Sequence, residues 1–213
     1  LELRNQVERV TLGAGASAGG VALADDAVRR KRVGLISGED DAGARPLTSQ
    51  LHFLRKALEP TAEVIEDDLL VMIEARPDAL ILADVGVLTA AQRAALVEWM
   101  EGGGLLLRFA GPRVARAETE ALRARGASGA EDPLLPVRLR AGGRAVGGAM
   151  SWGAPQAIAP FPEDGIFAGL EAPEDVRVER QVLAQPSPEL AERTVAALAD
   201  GTPLVTAADR GAG

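Results

Sequence analysis

The sequence predicts an α/β domain, a mainly parallel sheet between two layers of helices, with a β-rich and loop-rich C-terminal part. Three observations carry this. Residues 78–112, DALILADVGVLTAAQRAALVEWMEGGGLLLRFAGP, read as strand, helix and strand with little left over. Two further short apolar runs, residues 33–37 and 62–65, are each followed by a helical pattern. After Pro112 that alternation stops, and Gly, Ala and Pro become frequent without a period.

Composition sets the limits. The chain has 213 residues, enough for one large domain, and 47% of them are hydrophobic while only 3% are aromatic, so its core must be built from Leu, Val, Ile and Ala. A net charge of −8 excludes a nucleic-acid backbone as the expected partner, since that attraction needs an excess of Lys and Arg. There is no cysteine, hence no disulfide, thiolate nucleophile or thiolate metal site. No run of about 18 apolar residues is present to span a membrane. Leu1 starts mid-pattern and Gly213 stops inside a turn signal, so the chain is expected to be a piece of a longer protein.

Residues 1–32 read as an N-terminal strand and linker, and residues 33–213 as the α/β domain, with a βαβ core over 33–126 and an excursion and terminal hairpin over 127–213. Gly13, Gly15 and Ala18 match a dinucleotide-binding fingerprint, with Glu39 beyond the next strand. Gly19 and Gly20 would each cost the required helix ~1 kcal/mol, and Glu39 is too distant, so the stretch reads as a linker or hairpin feeding residues 21–23. VGLIS (33–37) is the first core strand. Leu47, Leu51, Leu54 and Leu58 then mark an amphipathic helix that Pro60 closes, with His52 off its apolar stripe. Residues 62–65 form the second strand. Glu66, Asp67 and Asp68 stand at the positive end of the next helix and Arg76 at its negative end.

In the 78–112 unit, residues 79–83 form a doubly buried strand. Thr89 and Gln92 have capping-box spacing, and Leu88, Ala91, Ala95, Leu96 and Trp99 make one stripe of the helix that follows. Gly102–Gly104 end it, and residues 105–109 follow as another buried strand. Downstream, residues 114–125 read as helix, 134–139 as strand, 142–162 as long loops with short strands, and 176–184 as a strand with one wet face. Asp200-Gly201 between residues 189–199 and 203–207 favours a hairpin.

With strand order 2-1-3-4 the fold is flavodoxin-like, and a ligand is expected where the order reverses, at the carboxyl ends of strands one and three. Ser37, Gly38, Glu39, Asp40 and Asp41 would line that crevice from one side, and Asp84, Val85 and Gly86 from the other. This acidic mouth repels phosphate and suits a divalent cation. RPDALILAD resembles the third strand of response-regulator receiver domains, whose terminal aspartate accepts a phosphoryl group. The hydroxyl such domains place after strand four is replaced here by Ala110 and Gly111, and their late lysine is missing. Ser151 in AMSWG approximates a nucleophile elbow, but Ala154-Pro155 opposes the helix it needs, and His52 is the only histidine.

The run from residue 33 to 112, together with ADGTPLVTAADRG near the end, resembles the class I glutamine amidotransferase-like domain. More narrowly, SAGGVAL, RRKRVGLIS, DPLLPVRLR and FPEDGIFAGL are similar to the central soluble region of bacterial aerotolerance (Bat)-type membrane proteins, which carry two N-terminal transmembrane helices. Amidotransferases place a cysteine at the strand–helix elbow, which here is Phe109-Ala110-Gly111-Pro112, and a His-Glu pair downstream; this chain has neither the cysteine nor the histidine. The resemblance therefore implies a non-catalytic binding or scaffolding domain, without a cofactor, whose partners are proteins or other domains of the same chain. It also implies a bacterial inner-membrane parent, with the periplasmic side favoured for this segment. The rival expectation is a metal-dependent enzyme or switch built on Glu39, Asp40, Asp41 and Asp84.

Overall fold

The computed structural model describes residues 9–11, 21–23, 30–38, 51–125, 132–145 and 154–213. In chain order the elements are β1 (Arg9–Thr11), β2 (Val21–Leu23), β3 (Lys31–Ser37), α1 (Leu51–Leu58), β4 (Ala62–Ile65), α2 (Leu69–Glu74), β5 (Ala79–Ala83), α3 (Ala90–Glu101), β6 (Leu105–Phe109) and α4 (Pro112–Arg125). They continue with β7 (Leu139–Ala145), β8 (Gln156–Ala157), β9 (Arg177–Val178), β10 (Arg180–Ala184), α5 (Leu190–Arg193), β11 (Thr194–Ala197) and β12 (Pro203–Thr206).

The centre is a four-stranded sheet of order β4-β3-β5-β6 in which every pairing is parallel. This is the flavodoxin-like order that the sequence predicts, and it places the reversal between β3 and β5. Period-two alternation sorts the strand residues onto two faces. On one face Val33, Leu35 and Ile81 pack with Leu51 of α1. On the other, Leu80 and Leu82 pack with Leu69 and Met72 of α2 and with Leu96 and Met100 of α3. Leu35, Met72, Leu80, Leu82 and Leu96 are fully buried, so the three-layer core is aliphatic.

The capping box of α3 is formed: Gln92 N–H donates to Thr89 Oγ1 at 3.2 Å and Thr89 N–H to Gln92 Oε1 at 3.0 Å. The buried stripe is displaced from the expected one. Leu96 and Met100 are its buried members, whereas Ala91 is exposed and Trp99 half-buried. Trp99 instead lies over Gly104, where an added Cβ would stand 2.2 Å from the ring, and its indole N–H donates to Pro77 O at 3.3 Å. His52 is half-buried, edge-on to Phe53.

Other expectations are corrected. β6 is not doubly buried: Leu105, Leu107 and Phe109 are 63%, 40% and 46% exposed. It is the last strand of its sheet, and α4, which follows it, packs against β7. Residues 134–138 are not strand. Asp132 accepts from Leu134 N–H with its carboxylate and from Leu135 N–H with its carbonyl, and this turn, with Pro133 and Pro136 on either side, delays the strand to Leu139. That strand then runs into the glycine-rich stretch read as loop. The stretch 176–184 divides at Glu179, so that β9 pairs with β8 and β10 with β7.

The C-terminal hairpin is present, with β11 antiparallel to β12 across Asp200-Gly201. Ahead of its first strand, residues 189–199 also hold a single turn of helix, Leu190–Arg193. β1 and β2 form a small antiparallel pair. Leu47, Gly13, Gly15, Ala18 and Ser151 lie outside the described residues. Among the described residues no helix is long and apolar enough to cross a membrane.

Candidate functional site

At the carboxyl ends of β3 and β5 the ladder runs one residue beyond the strands, with Gly38 N–H donating to Ala83 O at 2.8 Å and Asp84 N–H to Phe109 O at 3.0 Å. These bonds hold Ser37, Gly38 and Asp84 side by side at the point where the strand order reverses. Gly86 follows on the Asp84 side. Glu39, Asp40 and Asp41 lie outside the described residues.

Asp84 is 5% exposed and adopts φ +51°, a left-handed conformation that Asp tolerates better than most residues. Its Oδ1 accepts from Gly111 N–H at 3.0 Å, Arg113 N–H at 3.1 Å and Val114 N–H at 3.0 Å. Oδ2 also faces Arg113 N–H, at 3.2 Å, and lies 4.0 Å from the Arg113 guanidinium. The Arg113 and Val114 amides belong to the first turn of α4, and Gly111 immediately precedes it. Pro112, at the first helical position, has no N–H to satisfy. One carboxylate therefore meets the free donors at the start of this helix, at the positive end of its dipole.

Among the described residues, backbone approaches it closely at three glycines. A Cβ on Gly38 would fall 2.0 Å from Asp84 O, and one on Gly111 would fall 2.5 Å from Asp84 Cγ. A Cβ on Gly86 would meet Arg113 O at 2.6 Å. A metal at Asp84 would have to compete with backbone amides for Oδ1. Among the described residues no group of three or more His, Asp or Glu stands where it could hold a metal ion. The phosphoryl-acceptor geometry suggested by RPDALILAD needs an accessible carboxylate, and this one is committed to a helix cap.

A second buried polar cluster escaped the sequence reading. Arg108 points from β6 into the protein with a side chain only 6% exposed, and its Nη2 donates to Val85 O at 3.0 Å. Its Nη1 lies 3.8 Å from Oδ2 of the buried Asp132, too long for a hydrogen bond. Asp132 is engaged more closely elsewhere, accepting from Arg93 Nη1 and from Leu134 N–H. Arg108 Nε and Nη1 are left without a hydrogen-bond partner. Burial holds the Arg108 guanidinium below its ordinary pKa, opposed by Asp132 and Glu118 and assisted by Arg93. The signal in the sequence was an arginine within the apolar run LLLRF, two residues from inward-facing Leu106.

Protein-family models, curated proteins and solved structures yield no match to this chain. The flavodoxin-like class rests on the parallel sheet and its strand order.

Proposed function

We propose that this chain is a non-catalytic binding or scaffolding domain, belonging to a bacterial cell-envelope membrane protein and engaging other proteins or other domains of its own parent. The observation that carries the non-catalytic part is the state of Asp84. The acid best placed for chemistry, at the end of β5 beside the reversal of strand order, is spent on the first turn of α4. The absence of cysteine supports the same reading, as does the place of His52 on α1, edge-on to Phe53. The envelope setting is supported only by the likeness of SAGGVAL, RRKRVGLIS, DPLLPVRLR and FPEDGIFAGL to Bat-type proteins.

Titration calorimetry with Mg²⁺ and Ca²⁺, alongside an ammonia-release assay with glutamine, tests this reading. The expected result is no saturable heat and no ammonia. Sub-millimolar metal binding that Asp84→Asn abolishes would instead support the metal-dependent enzyme or switch.

A further inference from the structure

The outer edge of β6 looks into a cavity of about 350 Å³. Residues 106–110, from β6 and the bend after it, and residues 203–206 of β12 line it in unbroken runs. Successive strand residues point to opposite faces, so a cavity lined by every residue in turn lies along strand edges and not against one face. Among the described residues β6 pairs only with β5, β12 only with β11, and β10, on the third side of the cavity, only with β7. The register decides which groups of β6 are turned towards it. Leu105 N–H donates to Asp78 O at 3.2 Å and Asp84 N–H to Phe109 O at 3.0 Å, so the odd-numbered residues bond to β5. The N–H and C=O of Leu106 and Arg108 therefore point outward, and among the described residues none of them has a backbone partner.

Outer strand edges are normally blunted by charge, proline or a covering element. On β6 the exposed side chains are Leu105, Leu107 and Phe109, while its arginine is turned inward. Gly213 sits at the beginning of this edge. A Cβ on it would stand 2.5 Å from the carbonyl oxygen of Gly104, the residue before β6, and 2.4 Å from Met100 O. Ala212 N–H donates to Glu101 O at 3.2 Å and holds the turn there. By the same alternation Gly104 O belongs to the outward set. An extended segment that leaves Gly213 along this edge runs parallel to β6, in the sense of every other pairing in the sheet.

We propose that the β6 edge is a strand-acceptor site, whose occupant is an extended apolar segment joined to Gly213 that adds to the sheet as a fifth strand parallel to β6. Its amides and carbonyls meet the outward groups of Leu106 and Arg108. Its side chains alternate between the face carrying Leu105, Leu107 and Phe109 and the face carrying Leu106, so both sets are apolar. Attachment at Gly213 fixes the direction of the strand and supplies it at an effective concentration of millimolar order. The site is separate from Asp84 and does not rest on the scaffolding reading; metal binding or ammonia release would sink that reading and leave this one standing.

The test compares the 213-residue chain with two longer variants. One carries Thr-Val-Ile-Val-Leu-Val after Gly213, and the other carries the same segment with proline in its third and fifth places. Amide hydrogen exchange at Leu106 and Arg108 is followed by NMR. Both amides should exchange at least ~10-fold more slowly in the first variant than in the 213-residue chain, and at an unchanged rate in the second. Cross-strand contacts in the first variant should run in the same order along the segment and along β6. Equal rates in all three proteins, equal slowing by both segments, or contacts in antiparallel order would overturn the proposal. So would Leu106 and Arg108 amides that already exchange as slowly as those of β5 in the 213-residue chain. If the first variant aggregates, the same segment is added as a free peptide at millimolar concentration, and failure to slow the two amides then overturns the proposal.

Discussion

Asp84 occupies a position where a flavodoxin-like sheet would present a functional acid, yet its bonds are those of a helix cap. The residue meets three amides that lie 27 to 30 positions further along the chain. Local rules cannot find such a cap, because they look for Ser, Thr, Asp or Asn immediately before the helix. The sequence did hold a negative signal: α4 begins with Gly111-Pro112, which offers no side-chain acceptor of its own. Asp84→Ala would leave several amides of that turn unmet in a buried setting. It should cost about 3 kcal/mol or more, at roughly 1–3 kcal/mol for each buried unsatisfied donor, read as a lowered urea midpoint at unchanged slope. A loss within ~0.5 kcal/mol, the range of surface substitutions, would mean that the cap does not hold the helix.

Among elements, those with strong periodicity and local punctuation were legible from sequence alone. The strands at 33–37, 62–65, 79–83 and 105–109 and the capping box at Thr89 and Gln92 stand where the pattern put them. What composition could not show was which strand would be left at the border of its sheet. LLLRF reads as a buried strand, and only the departure of α4 towards β7 exposes Leu105 and Phe109. Similarly, Trp99 shared the α3 stripe by spacing, but the ring lies against the turn at Gly104 and stays partly exposed. Leu96, with no exposed surface, carries the contact with the sheet. Leu96→Ala should therefore cost about 2–5 kcal/mol, whereas Trp99→Ala should fall below the ~3–5 kcal/mol of a fully buried tryptophan. Denaturant titration of both variants checks the order; a larger loss for Trp99→Ala would place the ring, not Leu96, at the centre of the helix–sheet contact.

For the molecule as a whole, the layers follow from the sheet order. α1 covers one face and α2 with α3 the other, and α4 leads away to a smaller core shared with β7 and β10. The candidate site was only partly legible for a related reason. The strand ends that carry Ser37, Gly38, Asp84 and Gly86 could be placed from periodicity, but whether a carboxylate there is free depends on how closely a distant helix approaches. The cluster of Arg93, Arg108 and Asp132 joins three separate segments, and no spacing along the chain announces it.

The central claim is that Asp84, at the end of β5, ties that end of the sheet to the start of α4 through the Gly111, Arg113 and Val114 amides. Amide hydrogen exchange at Arg113 and Val114, followed by NMR with and without millimolar Mg²⁺ or Ca²⁺, tests it most directly. Both amides should be protected in the wild type, unaffected by either ion, and substantially faster to exchange in Asp84→Ala under conditions where the sheet amides remain protected. Exchange at the rate of exposed amides in the wild type, or protection lost or gained with a saturable metal dependence, would contradict the account.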